Sequence, residues 1–356
     1  MPPLAIKIGI LHDGPSVQLE SPVIRGMQLK LEEFNAQGGV EGRQVEMVHT
    51  AATAAHEGLP ENATTAWEDL ASDPGVVGII GPAIADNALA VIDTVDLGEV
   101  PTINWSGAEE TRGEWYFHFQ AGSMPDEGVY LARLIKKLGH ETVGVLKAGT
   151  VGEKYYAYFN REAAAQGLEI VSVQSAHVHA TDVTPQLTRI RRASPECVVF
   201  LGMAEPTLAF GRGFQALDWQ TPRFSNIAML ALAFDSEAAA INEGIVWTDQ
   251  YEPGNPTLTT LIDAYAKRYG EPPVEAFLAP IGYDMMTLML AGLRNASNLT
   301  RVGLKEGLEH VKPLPCATGG LNPVMGFGPW DRAAIKGPDL LMFRTVRDGK
   351  LVTFGQ

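Results

Sequence analysis

Apolar and polar positions in this chain alternate between two periods. Ile6, Ile8, Ile10 and Leu11 form a short apolar run, and Val23, Met27, Leu29, Leu31 and Phe34 then recur at largely helical spacing. Asp13-Gly14-Pro15 predicts a turn between them, and Gly38-Gly39 predicts a helix stop, because glycine takes left-handed angles at low cost. Gln44 to Val48 alternates as a second strand. Strand, helix and strand in this order open a parallel sheet, and the turn after its first strand lies at the carboxyl edge, where open α/β folds bind ligands.

The alternation continues. Helices are expected over 59–73 and 84–97, with strands at 76–81 and 100–104, and the run Tyr116-Phe117-His118-Phe119-Gln120 follows. After the break at Gly122-Ser123-Met124-Pro125 a second series begins: helices over 126–138, 152–166, 183–193 and 206–217, a short helix near Ser236, and strands at 142–146, 168–175, 197–201, 222–226 and 244–248. The turn cluster Glu252-Pro253-Gly254-Asn255-Pro256 leads to helices over 257–269, 274–295 and 302–310. The chain is expected to cross once more after Gly328-Pro329-Trp330-Asp331, with a hairpin joining Leu340–Arg344 to Leu351–Phe354 through Asp348-Gly349. The expected class is α/β, with two Rossmann-like lobes: residues 1–121 with 250–329, and 122–249 with 330–356. Three strands of chain between the lobes make a hinge, and a ligand cleft is expected between them.

Ile8-Gly9-Ile10, Asp13-Gly14-Pro15, Arg25-Gly26-Met27, Phe34-Asn35-Ala36-Gln37-Gly38-Gly39-Val40 and Gly42-Arg43 resemble the opening of the type I periplasmic solute-binding proteins, above all the leucine/isoleucine/valine-binding branch that feeds ABC importers. The order of elements follows that family to about residue 345. The resemblance implies the periplasmic binding protein-like type I fold, closure of two lobes on a small-molecule ligand, delivery to an ABC transporter permease, and no enzymatic activity.

Site residues follow from the resemblance together with the strand ends. In the family, the stretch after the third strand gives a hydroxyl and helix amides to a ligand carboxylate; here it carries Ile84 and Ala85, and the hydroxyl is missing. The next loop offers Trp105, Ser106 and Gly107, and Trp105 reads either as a core plug or as a ligand platform. In the second lobe Val151 stands where the family has an aromatic residue, Tyr155 follows just beyond, and Met203 replaces a second aromatic. Asn226 falls near the position of the acidic group that pairs with a substrate ammonium, and Glu205 is the nearest alternative carboxylate. With Leu19 from the first loop these residues describe an apolar slot with few polar fixings, suited to an amino acid-like molecule, an amide, or an aromatic or other organic acid.

Composition narrows the partners. Among 356 residues, 27 Lys and Arg stand against 42 Asp and Glu, for a formal charge of −15, which repels nucleic acid and anionic membrane surfaces. Two cysteines, Cys197 and Cys316, make no disulfide framework. No run nears the ~20 apolar residues of a membrane span, so direct membrane insertion is not expected. Met1 to Ala5 runs into the first strand without a leader, which leaves two readings: a periplasmic or extracellular protein whose signal was removed, or a cytoplasmic amide or metabolite sensor-regulator of the same fold. Gly149 to Lys154 has the wrong spacing for a phosphate loop, and no nucleophile elbow or dinucleotide fingerprint is present. His177 and His179 are expected on one strand face without further metal ligands, so neither metal nor cofactor is expected.

Overall fold

The computed structural model describes residues 4–13, 19–51, 61–203, 205–233, 236–274 and 276–355. Gly14 and Pro15 of the expected turn, and Leu59 and Pro60 at the expected start of a helix, lie outside them. The chain divides into two compact units, 1–121 with 251–340 and 122–250 with 341–356.

In the first unit β1 (Ile6–His12) is followed by α1 (Pro22–Ala36), β2 (Val45–Ala51), α2 (Glu61–Ser72), β3 (Val76–Ile80), α3 (Ala85–Ala90), α4 (Ile92–Gly98), β4 (Thr102–Asn104) and β5 (Tyr116–His118). Among the described residues these strands form one parallel sheet in the order β2-β1-β3-β4-β5. β3 is buried along its whole length, as a strand covered on both faces must be. Ser21 caps α1, with Pro22 at its first position. Trp67 of α2 is buried among Leu70, Val95 and Tyr116, and its indole Nε1–H donates to Thr102 Oγ1 at 3.0 Å. The helix expected over 84–97 is two, because the chain turns at Val91.

The second unit runs α5 (Met124–Lys137), β6 (Thr142–Ala148), α6 (Gly149–Gln166), β7 (Glu169–Ala176), α7 (Thr184–Arg192), β8 (Cys197–Leu201), α8 (Glu205–Ala216), β9 (Arg223–Ser225), a 3₁₀ turn (Ile227–Ala233), α9 (Ser236–Ile241) and β10 (Val246–Asp249). Phe200, Phe210 and Trp247 centre its core. The 3₁₀ turn was not anticipated, since Ile227 to Ala233 is an apolar run without a helical period.

The chain then returns to the first unit through α10 (Pro256–Tyr269), α11 (Leu278–Asn295) and α12 (Arg301–Glu309), with a small antiparallel sheet of β11 (Leu314–Pro315), β12 (Val324–Met325) and β13 (Ile335–Lys336). Residues 330–340 lie in this unit rather than in the second, where they were expected. His118 N–H donates to Arg332 O, and Ala334 N–H donates to His118 O, each at 2.8 Å, which ties the stretch to β5. The last passage falls at 340/341. β14 (Met342–Arg347) and β15 (Lys350–Thr353) then form the expected hairpin on the second unit's sheet, in the order β15-β14-β10-β9-β8-β6-β7 among the described residues; β14 runs antiparallel to β10.

Helices α1 and α11 cross at their glycines. A Cβ on Gly26 would stand 2.2 Å from Ala279 O, and one on Gly282 would stand 1.9 Å from Val23 O. The Arg25-Gly26-Met27 run therefore answers to backbone contact.

Candidate functional site

Asp13 follows the end of β1 and is fully buried. Its carboxylate accepts Ala83 N–H at 2.6 Å, Ile84 N–H at 2.9 Å and the Asn87 amide at 2.9 Å. The amides that lead into α3, next to the candidates Ile84 and Ala85, are therefore already bonded to a carboxylate of the chain itself. Ile84 and Ala85 are half-buried, and Leu19 is 61% exposed.

The loop after β4 is fixed from within. Asn104 Nδ2 donates to the carbonyls of Thr111 and Phe117, each at 3.0 Å, while Ser106 Oγ donates to Asn104 Oδ1 at 3.0 Å. Trp105 is buried, its backbone N–H donates to Pro82 O at 3.2 Å, and Gly107 is half-buried. His118 Nε2–H donates to Ser106 O at 2.6 Å, and its Nδ1 accepts Arg112 Nε–H at 3.1 Å. This pattern is that of a neutral imidazole, and burial pushes its pKa down to about 3, helped by the Arg112 charge. Beside Leu19, a hollow of about 300 Å3 is lined by Ile24, Arg25, Met47, His49 and Tyr269. His49 lies 2.6 Å from His12, ring nitrogen to ring nitrogen, and burial, with the His12 charge, lowers its pKa to about 4.

In the second unit Tyr155 on α6 is buried, and its hydroxyl donates to Glu127 Oε1 at 2.8 Å. Glu127, fully buried in the first turns of α5, also accepts Ser123 N–H at 2.9 Å, Ile227 N–H at 2.7 Å and Thr248 Oγ1–H at 2.5 Å. Burial raises its pKa above the ordinary carboxylate value, and the four donors oppose that rise by stabilising the ionised form. Asn226 is buried; its Nδ2–H donates to Gly202 O at 3.1 Å and its Oδ1 accepts Gly202 N–H at 3.3 Å, so it clasps the loop after β8. On that loop Met203 is 40% exposed. Glu205 opens α8 with its carboxylate 3.4 Å from His179 Nδ1, and Val151 is half-buried in the first turn of α6.

His177 and His179 lie beyond the end of β7, in a turn rather than on a strand face. Among the described residues no group of three or more His, Cys, Asp or Glu side chains is placed to hold a metal ion. Sequence reasoning missed Asp13, Asn104, His118 and Glu127 as organisers of these loops. Glu127 had one signal, an acidic pair behind the Ser123-x-Pro125 helix start, but such a pair reads first as solvated charge at a helix N-terminus.

A family model described as "Periplasmic binding protein" matches residues 5–334. The Leu/Ile/Val-binding protein homolog 7 of Brucella abortus (strain 2308) is 23% identical over 400 aligned residues, covering 98% of this chain and 90% of that protein. Two crystal structures share the fold. The periplasmic binding protein type 1 from Bordetella pertussis Tohama I has a TM-score of 0.83 and 23% identity, covering 98% of this chain and all of that one. The ABC transporter substrate-binding protein from Desulfitobacterium hafniense in complex with Leu has a TM-score of 0.81 and 20% identity, with the same coverage.

Proposed function

Because the chain belongs to the periplasmic binding protein family, we propose that it is the solute-binding component of an ABC importer, acting in the periplasm or outside the cell. It captures one small organic molecule with residues from the strand-end loops of both units. The units close on it about the three passages of chain, and the loaded form is presented to a permease. The observation that carries an apolar guest is the company at those ends: Ile84 and Trp105 in the first unit, Val151 and Met203 in the second. Asp13 adds to this, since the amides of Ala83 and Ile84 are already bonded and contribute nothing to a guest's carboxylate. Apolar contact, with a few hydrogen bonds to fix orientation, is the usual basis of such sites.

Native mass spectrometry of the purified protein, followed by a thermal-shift screen, tests this reading. The Brucella relative and the leucine complex make branched-chain amino acids the first arm; short amides and aromatic acids are the others. A saturable rise of several degrees with one class is expected, because a ligand bound only by the folded form stabilises it. No co-purified mass and no shift in any arm would sink the reading.

A further inference from the structure

The carboxylate of Glu127 gathers four segments that are far apart in sequence. Two of them flank the places where the chain enters and leaves the second unit: Ser123 stands just after the 121/122 passage and Thr248 just before the 250/251 passage. The other two are Tyr155 and Ile227, the latter next to Asn226, and both Tyr155 and Asn226 belong to the candidate ligand face. Gly122, the first residue past the passage, lies against the same cluster at φ +78°. A Cβ there would meet Glu127 Oε1 at 3.0 Å, Ile227 Cγ2 at 3.2 Å and Tyr155 Oη at 3.6 Å. Its N–H donates to Gln250 Oε1, so the entering and leaving strands are also joined directly.

We propose that Glu127 is a positioning residue that couples the ligand face of the second unit to the two passages of chain at its border. The inference rests on the binding reading given above, with Tyr155 and Asn226 taken as ligand-side residues from the sequence candidates. The four bonds share one carboxylate, so a displacement of the Tyr155 hydroxyl changes the position open to the other three donors. A buried acceptor surrounded by neutral N–H and O–H groups has no solvent to replace a lost partner, which makes such a network act as a unit. A guest that shifts α6 or the turn at Ile227 therefore moves Ser123 and Thr248 as well, and the passages are where the chain must bend if the units are to close.

Hydrogen exchange on the full chain without ligand tests the coupling. Tyr155→Phe removes one donor and keeps the ring, and Glu127→Gln keeps the shape while replacing one acceptor oxygen by a donor. Both variants are expected to speed exchange at least threefold in peptides covering 122–124 and 247–250, far from residue 155 in sequence, while the β6 and β8 amides keep wild-type protection. Change confined to peptides around residue 155, or no change, overturns the proposal. A uniform loss of protection in Glu127→Gln that is absent from Tyr155→Phe does the same, since it marks Glu127 as a general support of the core. No ligand is used, so this result is separate from failure of the ligand screen.

Discussion

Asp13 and Asn87 meet 2.9 Å apart, carboxylate to amide, joining the residue after β1 to the first turns of α3. The same carboxylate holds Ala83 and Ile84 N–H, so Asp13 shapes the loop after β3. Asp13→Ala strips these donors of their acceptor in a buried setting and is expected to cost about 3 kcal/mol. Urea denaturation measures the loss; a change below a few tenths of a kcal/mol would show that the loop holds its shape without Asp13.

The contact of α1 with α11 permits no side chain at Gly26. Gly26→Ala puts a methyl group against the Ala279 carbonyl, within a backbone pair that has little room to yield. A loss of about 3 kcal/mol is expected. Gly38→Ala, in the turn just past the end of α1, where a Cβ meets nothing within 4 Å but φ is +100°, supplies a conformational cost without a steric one for comparison. Equal Tm values for the Gly26→Ala variant and the parent would refute the close crossing.

His118 gives stability a pH dependence whose sign follows from its partners. The folded imidazole is neutral down to about pH 3, whereas the unfolded side chain takes up a proton near its ordinary value of 6.5. As pH falls below that value the unfolded state binds the extra proton, and the folded state loses about 1.4 kcal/mol per pH unit. Relative to His118→Gln, the parent is expected to lose about 2 kcal/mol of its advantage between pH 6.5 and 5. Parallel stability curves for the two proteins over that range would contradict the buried neutral state.

Trp105 is 5% exposed, and truncation to alanine is expected to cost about 3–5 kcal/mol of stability by opening a cavity. Affinity is therefore better read from Trp105→Phe, which keeps an aromatic body in the loop. Under the proposed function this variant binds the compound found in the screen more weakly than the parent, by isothermal calorimetry. An unchanged Kd assigns Trp105 to packing alone.

The elements with one dominant period were legible before any coordinates. β3 and β8 are unbroken apolar runs because both faces are covered, and α1 carries its apolar stripe up to the Gly38-Gly39 stop. The two-residue strands β11, β12 and β13 are too short to show a period, and the turn at Ile227 has none. What sequence could not supply was the inward bonding of the candidate loops. Glu127 and Thr248 are 121 positions apart, and Asp13 and Ala83 are 70 apart, so neither partnership leaves a local pattern. Tyr155 was placed in the right helix, but the direction of its hydroxyl depends on a carboxylate in another element.

The hairpin of β14 and β15 has a consequence for the order of assembly. During synthesis β10 is made before residues 251–340, all of which belong to the other unit, and only then does its antiparallel neighbour β14 emerge. Over that interval β10 has an open flank of backbone groups, the kind of surface on which nascent chains stick to one another. A stop codon placed at residue 341 would make that state permanent, leaving a first unit with all its strands and a second with an unguarded border.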